Sequence, residues 1–107
     1  MKADKFSLLE RDIDYILSAI KIFPEIEKAM IFGSRAVGNY KKGSDIDIAY
    51  YGKNVNFETT NRLKSKLNEE LPIPFFIDVL HFNTLKNRDL KKHIEQFGIT
   101  FYSCTTM

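Results

Sequence analysis

The chain has one cysteine, Cys104, among 107 residues. No internal disulfide can form, and the setting this predicts is a reducing cytoplasm. No apolar run approaches the roughly 18 residues of a membrane-crossing helix, so no membrane partner is expected. The opening residues Met1-Lys2-Ala3-Asp4-Lys5 lead into a charged amphipathic segment and not into a signal peptide. An excess of one charge is also missing. Lys and Arg total 16 and Asp and Glu 14, a net +2, which argues against a whole-surface nucleic-acid binder. Internal repeats and low-complexity tracts are absent. The final Cys104-Thr105-Thr106-Met107 has the outline of a prenylation box. It has threonine where aliphatic residues belong and no polybasic segment before it, so lipidation is not expected.

What remains is an ordinary globular composition, 44 % apolar. The length fits a single domain over residues 1–107, with a modest core. Leu9, Ile13, Ile16, Leu17 and Ile20 recur at helical spacing over residues 7–22, with Ser7 as N-cap and Pro24 beyond the end. Lys28 to Phe32 reads as a buried strand, broken by Gly33-Ser34. Residues 34–38 suit one helical turn, and Asn39 to Gly43 a basic loop. Asp45 to Tyr51 reads as a second strand. Phe57 to Leu71 reads as a helix with Leu63, Leu67 and Leu71 on one face, and Phe75 to Phe82 as a third strand. Asn83 is the expected cap of a last helix carrying Leu85, Leu90, Ile94 and Phe97. Ile99 to Tyr102 reads as a short edge strand. Alternating helices and strands predict an α/β fold, a small mixed sheet flanked by helices.

Three carboxylates interrupt the apolar strand runs, Asp45, Asp47 and Asp78, and a carboxylate in a buried strand is costly unless something pairs with it. Asp45 and Asp47 are two apart on a strand, so they face the same way, roughly 6.5 Å apart. Such a pair resists joint ionisation, and a divalent cation removes the conflict. Mg²⁺ suits it, because that ion takes one or two carboxylates together with phosphates and water. Ten residues separate this pair from Gly33-Ser34. A glycine and serine after a buried strand can present backbone N–H groups to a phosphate. One element thus offers a phosphate seat and the next a metal seat, as a triphosphate–Mg²⁺ complex requires. Two rival motifs fail. A P-loop needs Lys and Ser/Thr after its second glycine, whereas Asn39 and Tyr40 follow Gly38. A calcium loop needs alternating oxygen ligands, whereas Ile48 and Ala49 follow Asp47.

The run Gly33-Ser34, ten residues, Asp45-Ile46-Asp47, then a third carboxylate at Asp78 in Phe75-Phe76-Ile77-Asp78-Val79-Leu80, resembles the signature of the minimal nucleotidyltransferase family. That family lies within the DNA polymerase beta-like nucleotidyltransferase superfamily, and its element order matches nearly the whole chain. The resemblance implies a palm-like nucleotidyltransferase fold and transfer of a nucleoside monophosphate, AMP from ATP, to a hydroxyl. It implies two Mg²⁺ ions on Asp45, Asp47 and Asp78 as catalytic and metal residues. It implies a nucleotide seat at Gly33, Ser34 and Arg35, while Ser44 either bonds a phosphate or closes the turn. Many prokaryotic members are antitoxins paired with a small all-helical HEPN toxin, and some attach AMP to a tyrosine of that toxin. Members often carry a second basic residue where this chain has Val37; Arg35, Lys41 and Lys42 are the basic side chains on offer instead.

Other signals weigh less. Arg88 and His93 have the spacing of a HEPN ribonuclease motif, but Glu95 stands where its tyrosine belongs. His81, at the end of the third strand, reads as a hydrogen-bonded boundary histidine. Phe75, Phe76 and Phe82 read as core. The basic helix from Lys86 to Lys92 and exposed tyrosines at Tyr50 and Tyr51 are candidate contacts for a protein partner. Arg62, Lys64 and Lys66 read as a solvated face. Two alternatives stand beside enzymatic transfer to a toxin. One is an interaction protein that neutralises its partner by binding alone, with nucleotide as a structural ligand or absent. The other is transfer to a small molecule, for which 107 residues leave no acceptor domain.

Overall fold

In the computed structural model, residues 10–33, 45–53 and 55–104 are described. The predicted cap Ser7, the helical turn at residues 34–38 and the basic loop at residues 39–43 lie outside them. Helix α1 runs from Glu10 to Lys21 and buries Ile16 and Ile20 of the predicted stripe, with Ala19 beside them, while Ile13 and Leu17 are partly buried. Strand β1 spans Lys28–Phe32 and β2 Ile46–Tyr51. Helix α2 spans Phe57–Ser65, with the Asn56 side chain accepting from the Thr59 N–H. It continues into a π-helical turn at Lys66–Glu70. Strand β3 spans Ile77–His81, a 3₁₀ turn Phe82–Thr84, helix α3 Arg88–Phe97 and strand β4 Ile99–Ser103.

The four strands form one mixed sheet in the order β3-β2-β1-β4. β1 is antiparallel to both β2 and β4, whereas β2 and β3 run parallel. Side chains alternate across a strand, so the sheet feeds two cores. Ala29, Ile31, Ile46, Ile48, Tyr50, Ile77 and Val79 pack with Ile16, Ile20, Leu63 and Leu67 of α1, α2 and the π turn. Met30, Phe32, Ala49, Phe82 and Ile94 form the other, under α3. This is the small mixed sheet with flanking helices that the residue pattern predicts.

Several local expectations need correction. Asn83 does not cap the last helix. It sits in the 3₁₀ turn, where its side-chain oxygen accepts from the Gly52 N–H at 3.0 Å. Asn87 is the cap, accepting from the Leu90 N–H at 3.0 Å. β3 is two residues shorter at its start than predicted, because Phe75 and Phe76 precede it, and Phe76 is exposed. Phe82 is buried and Phe75 packs against the core, as expected. Tyr50 is fully buried, with its hydroxyl bonded to Thr60, and Tyr51 is half-buried beneath the Lys28 ammonium, 4.3 Å from the ring centroid. Burial removes Tyr50 from any partner surface, and Tyr51 keeps only part of its ring open to solvent. His81 is the bonded boundary histidine predicted, its Nε2 lying 2.9 Å from the Gly52 carbonyl.

Candidate active site

The parity of β2 places the acids. Ile46, Ile48 and Tyr50 point into the α1/α2 core, so Asp47 points to the α3 side with Ala49. In β3, Ile77 and Val79 are buried while Asp78 is exposed. Parallel pairing puts Asp47 directly beside Asp78, about 4.8 Å away on the neighbouring strand. On its other side Asp47 pairs with Phe32, the last residue of β1. Asp45 is exposed and lies one residue before β2. The three carboxylates therefore collect at one end of the sheet. They do not stand in buried strand interiors: Asp45 and Asp78 are open to solvent and Asp47 is half-buried.

That half-burial shows in the chemistry of Asp47. Its carboxyl is pushed above the usual aspartate range, first by desolvation, then by the charges of Asp78 and Asp45; His93 opposes the shift. His93 lies on α3, edge-on to Phe32 with ring centroids 6.3 Å apart. Gly33 turns the chain out of β1 with φ of 79°, a conformation open chiefly to glycine. A side chain there would put its Cβ 2.6 Å from Asp47 Oδ2. The turn thus passes directly over the acid; its φ favours glycine, and an added Cβ would also press on the Asp47 carboxylate. Ser34, Arg35 and Ser44, the other expected nucleotide contacts, lie outside the described residues.

Two further residues also meet here, Lys64, whose charge run predicts a solvated face, and Asn68. Lys64 Nζ lies 3.1 Å from Asp78 Oδ1, which also accepts from the Val79 N–H at 3.1 Å. The Asn68 amide bonds both the N–H and the carbonyl of Ile77, at 2.8 and 2.7 Å. Lys64 and Asn68 are four apart in one helical segment, and so share a face. That spacing next to a strand acid is the signal that marks them.

Among the described residues, no three His, Cys, Asp or Glu side chains are gathered tightly enough to hold a metal ion alone. The donor set is hard carboxylate oxygen, three groups of which two are open to solvent. That fits Mg²⁺, which completes its shell with phosphate and water oxygens. No described helix is long and apolar enough to cross a membrane.

Comparison with known proteins agrees with this arrangement. No match is found among curated proteins. Among solved structures, the chain is similar to a chain of a toxin–antitoxin with AMP-PNP, with TM-score 0.69 and 21 % identity over 84 % of this chain and 72 % of that one. It is similar to a chain of a tri-AMPylated Shewanella oneidensis HEPN toxin in complex with MNT antitoxin, with TM-score 0.66 and 18 % identity over 88 % and 71 %. A nucleotidyltransferase described as putative from Sulfolobus solfataricus gives TM-score 0.52 and 23 % identity over 89 % and 86 %. At these identities the likeness is one of fold. The family profile described as "Polymerase beta, Nucleotidyltransferase" matches residues 13–106. With nearly the whole length matched and its carboxylates at one end of a palm-like sheet, the chain belongs to the polymerase beta nucleotidyltransferase family.

Proposed function

We propose that this chain transfers AMP from ATP to a tyrosine hydroxyl of a HEPN-type toxin and so acts as its antitoxin. The observation that carries this reading is the in-register Asp47–Asp78 pair under the Gly33 turn. Two carboxylates side by side, one already resisting ionisation, form a poor structural feature and a good seat for a cation with a phosphate above it.

Asp45 and Asp47 would hold two Mg²⁺ ions, with Asp78 contributing to one. Bound Mg²⁺ neutralises phosphate charge and makes an attacking hydroxyl more acidic. Gly33 and Ser34, with Arg35 and Ser44, orient the triphosphate. Asp78, the more exposed neighbour of Asp47, takes the proton of the acceptor hydroxyl. The acceptor oxygen bonds to the α-phosphorus, the α–β anhydride breaks, and pyrophosphate leaves. Catalysis is mostly positioning and charge neutralisation.

The acids open to solvent, where an acceptor hydroxyl carried by another protein can reach them. Reaction needs the reacting atoms within about 3.5 Å, so a partner protein completes the site. The similar structures support this partner class, since one contains an AMPylated HEPN toxin and another AMP-PNP.

The test is co-expression with a HEPN partner, followed by intact mass measurement of that partner. Mass additions of AMP that vanish with Asp45→Asn are expected. A stable complex without mass change, still neutralised by Asp45→Asn, overturns the enzymatic reading in favour of neutralisation by binding alone.

A further inference from the structure

We propose that Lys64 is a resident cation of the third carboxylate, one that competes with a divalent ion for it, so that this lysine sets the metal concentration at which the site fills. The inference rests on the metal-binding reading of Asp45, Asp47 and Asp78 given above.

Asp78 Oδ1 has two donors, the Lys64 ammonium and the Val79 N–H, each at 3.1 Å. A carboxylate oxygen has about two lone-pair sites, so this oxygen is fully engaged. It cannot accept a metal without losing a donor, and the backbone N–H is fixed by the strand. Lys64 is the donor free to leave. Its side chain is 41 % exposed and that of Asp78 52 %, and an ion pair that open to water is weak and exchangeable. A retreat is available: the ammonium lies 5.9 Å from the centroid of Phe76, itself half-exposed, over which a lysine stem and head can rest. Asp78 pairs with Asp47 across the strands and meets Lys64 of α2 through Oδ1. A lysine here meets two needs. It offsets part of the repulsion between neighbouring carboxylates before the substrate arrives, and it yields to a doubly charged ion that offsets more.

The experiment is calorimetric titration of the full chain with Mn²⁺ alone, a probe with the same preference for oxygen ligands. Wild type, Lys64→Met, Lys64→Arg and Asp45→Asn are compared after thermal melts establish that each is folded. If Lys64→Met does not fold, Lys64→Gln takes its place. Removing the resident cation should tighten Mn²⁺ binding about 1.4- to fivefold, the range an exposed ion pair contributes, and Lys64→Arg should stay near wild type. Unchanged or weaker binding in the folded Lys64→Met protein overturns the exchange. The two readings fail separately. If Asp45→Asn weakens Mn²⁺ binding but Lys64→Met leaves it unchanged, the exchange alone falls. If wild type binds no Mn²⁺, or Asp45→Asn binds it as well as wild type, both fall.

Discussion

The side-chain amide of Asn68 stands beside the backbone of Ile77 as a neighbouring strand would, donating to its carbonyl at 2.7 Å and accepting from its N–H at 2.8 Å. β3 is an edge of the sheet, and an edge strand presents unpaired backbone groups. Asn68 satisfies both groups of the residue just before Asp78. It thereby fixes the strand end from which that acid projects, and a π-helical turn delivers it there.

Asn68→Ala should lose both bonds at once. We expect destabilisation of about 1–3 kcal/mol, the cost of leaving partly buried polar groups unmatched. Transfer should fall further than the loss of stability explains, because Asp78 loses its fixed position. Denaturant unfolding and a kcat measured well below the melting temperature check this; an unchanged kcat would show that the bonds serve the fold alone.

Asp47 sets a pH dependence of stability. Its folded carboxyl titrates above the unfolded one, so the folded state holds its proton more tightly. The stability this contributes is complete below about pH 3.9, where a free aspartate is protonated, and is lost as pH rises through the folded value. Asp47→Asn removes that loss. In metal-free buffer the variant should be more stable than wild type at pH 7, with the gap closing toward pH 4. Urea midpoints at both pH values test it. A variant less stable at pH 7 would make Asp47 a structural partner.

Gly33→Ala meets two obstacles, a left-handed φ of 79° and a Cβ placed 2.6 Å from Asp47 Oδ2. The conformational cost alone is about 1–2 kcal/mol. We expect a lower melting temperature and a larger fall in triphosphate affinity, measured by titration with Mg²⁺-ATP. Wild-type affinity in a destabilised variant would place the phosphates elsewhere.

Mg²⁺-ATP itself should raise the melting temperature. At about 100 times its dissociation constant a ligand adds roughly 2.7 kcal/mol. ATP with a chelator should do little, since the acids then repel the phosphates. Equal shifts under both conditions are incompatible with a metal bridge.

The sequence was informative where one physical signal dominated. Lys28–Phe32 is a strand to the residue because a short apolar run ends on a glycine. The three acids stood out because each broke an apolar run, and they do collect at one sheet end. Two things were hidden. Neither the order β3-β2-β1-β4 nor the parallel pairing of β2 with β3 is encoded in local periodicity, so which acids become neighbours could not be read directly. Continuous leucine spacing also concealed the π turn after Ser65, and with it the roles of Lys64 and Asn68. Tyr50 and Tyr51 looked exposed beside a turn, but a strand covered on both faces buries Tyr50 fully and Tyr51 in part.

The parallel pairing of β2 with β3 has a kinetic consequence. Strands that run the same way cannot be joined by a tight turn, and here residues 52–76, with α2 and its π turn, form the crossover. Asp47 and Asp78 therefore meet only after that long loop has closed, a step whose entropy is spent before any pairing returns it. When they meet, they repel. Closure of the crossover brings together like charges that the open chain keeps apart, so the chemistry of the site is felt as a barrier during folding. Added salt, which screens such charges over about 10 Å at 0.1 M, should speed refolding of the wild type, and speed it less in Asp78→Asn.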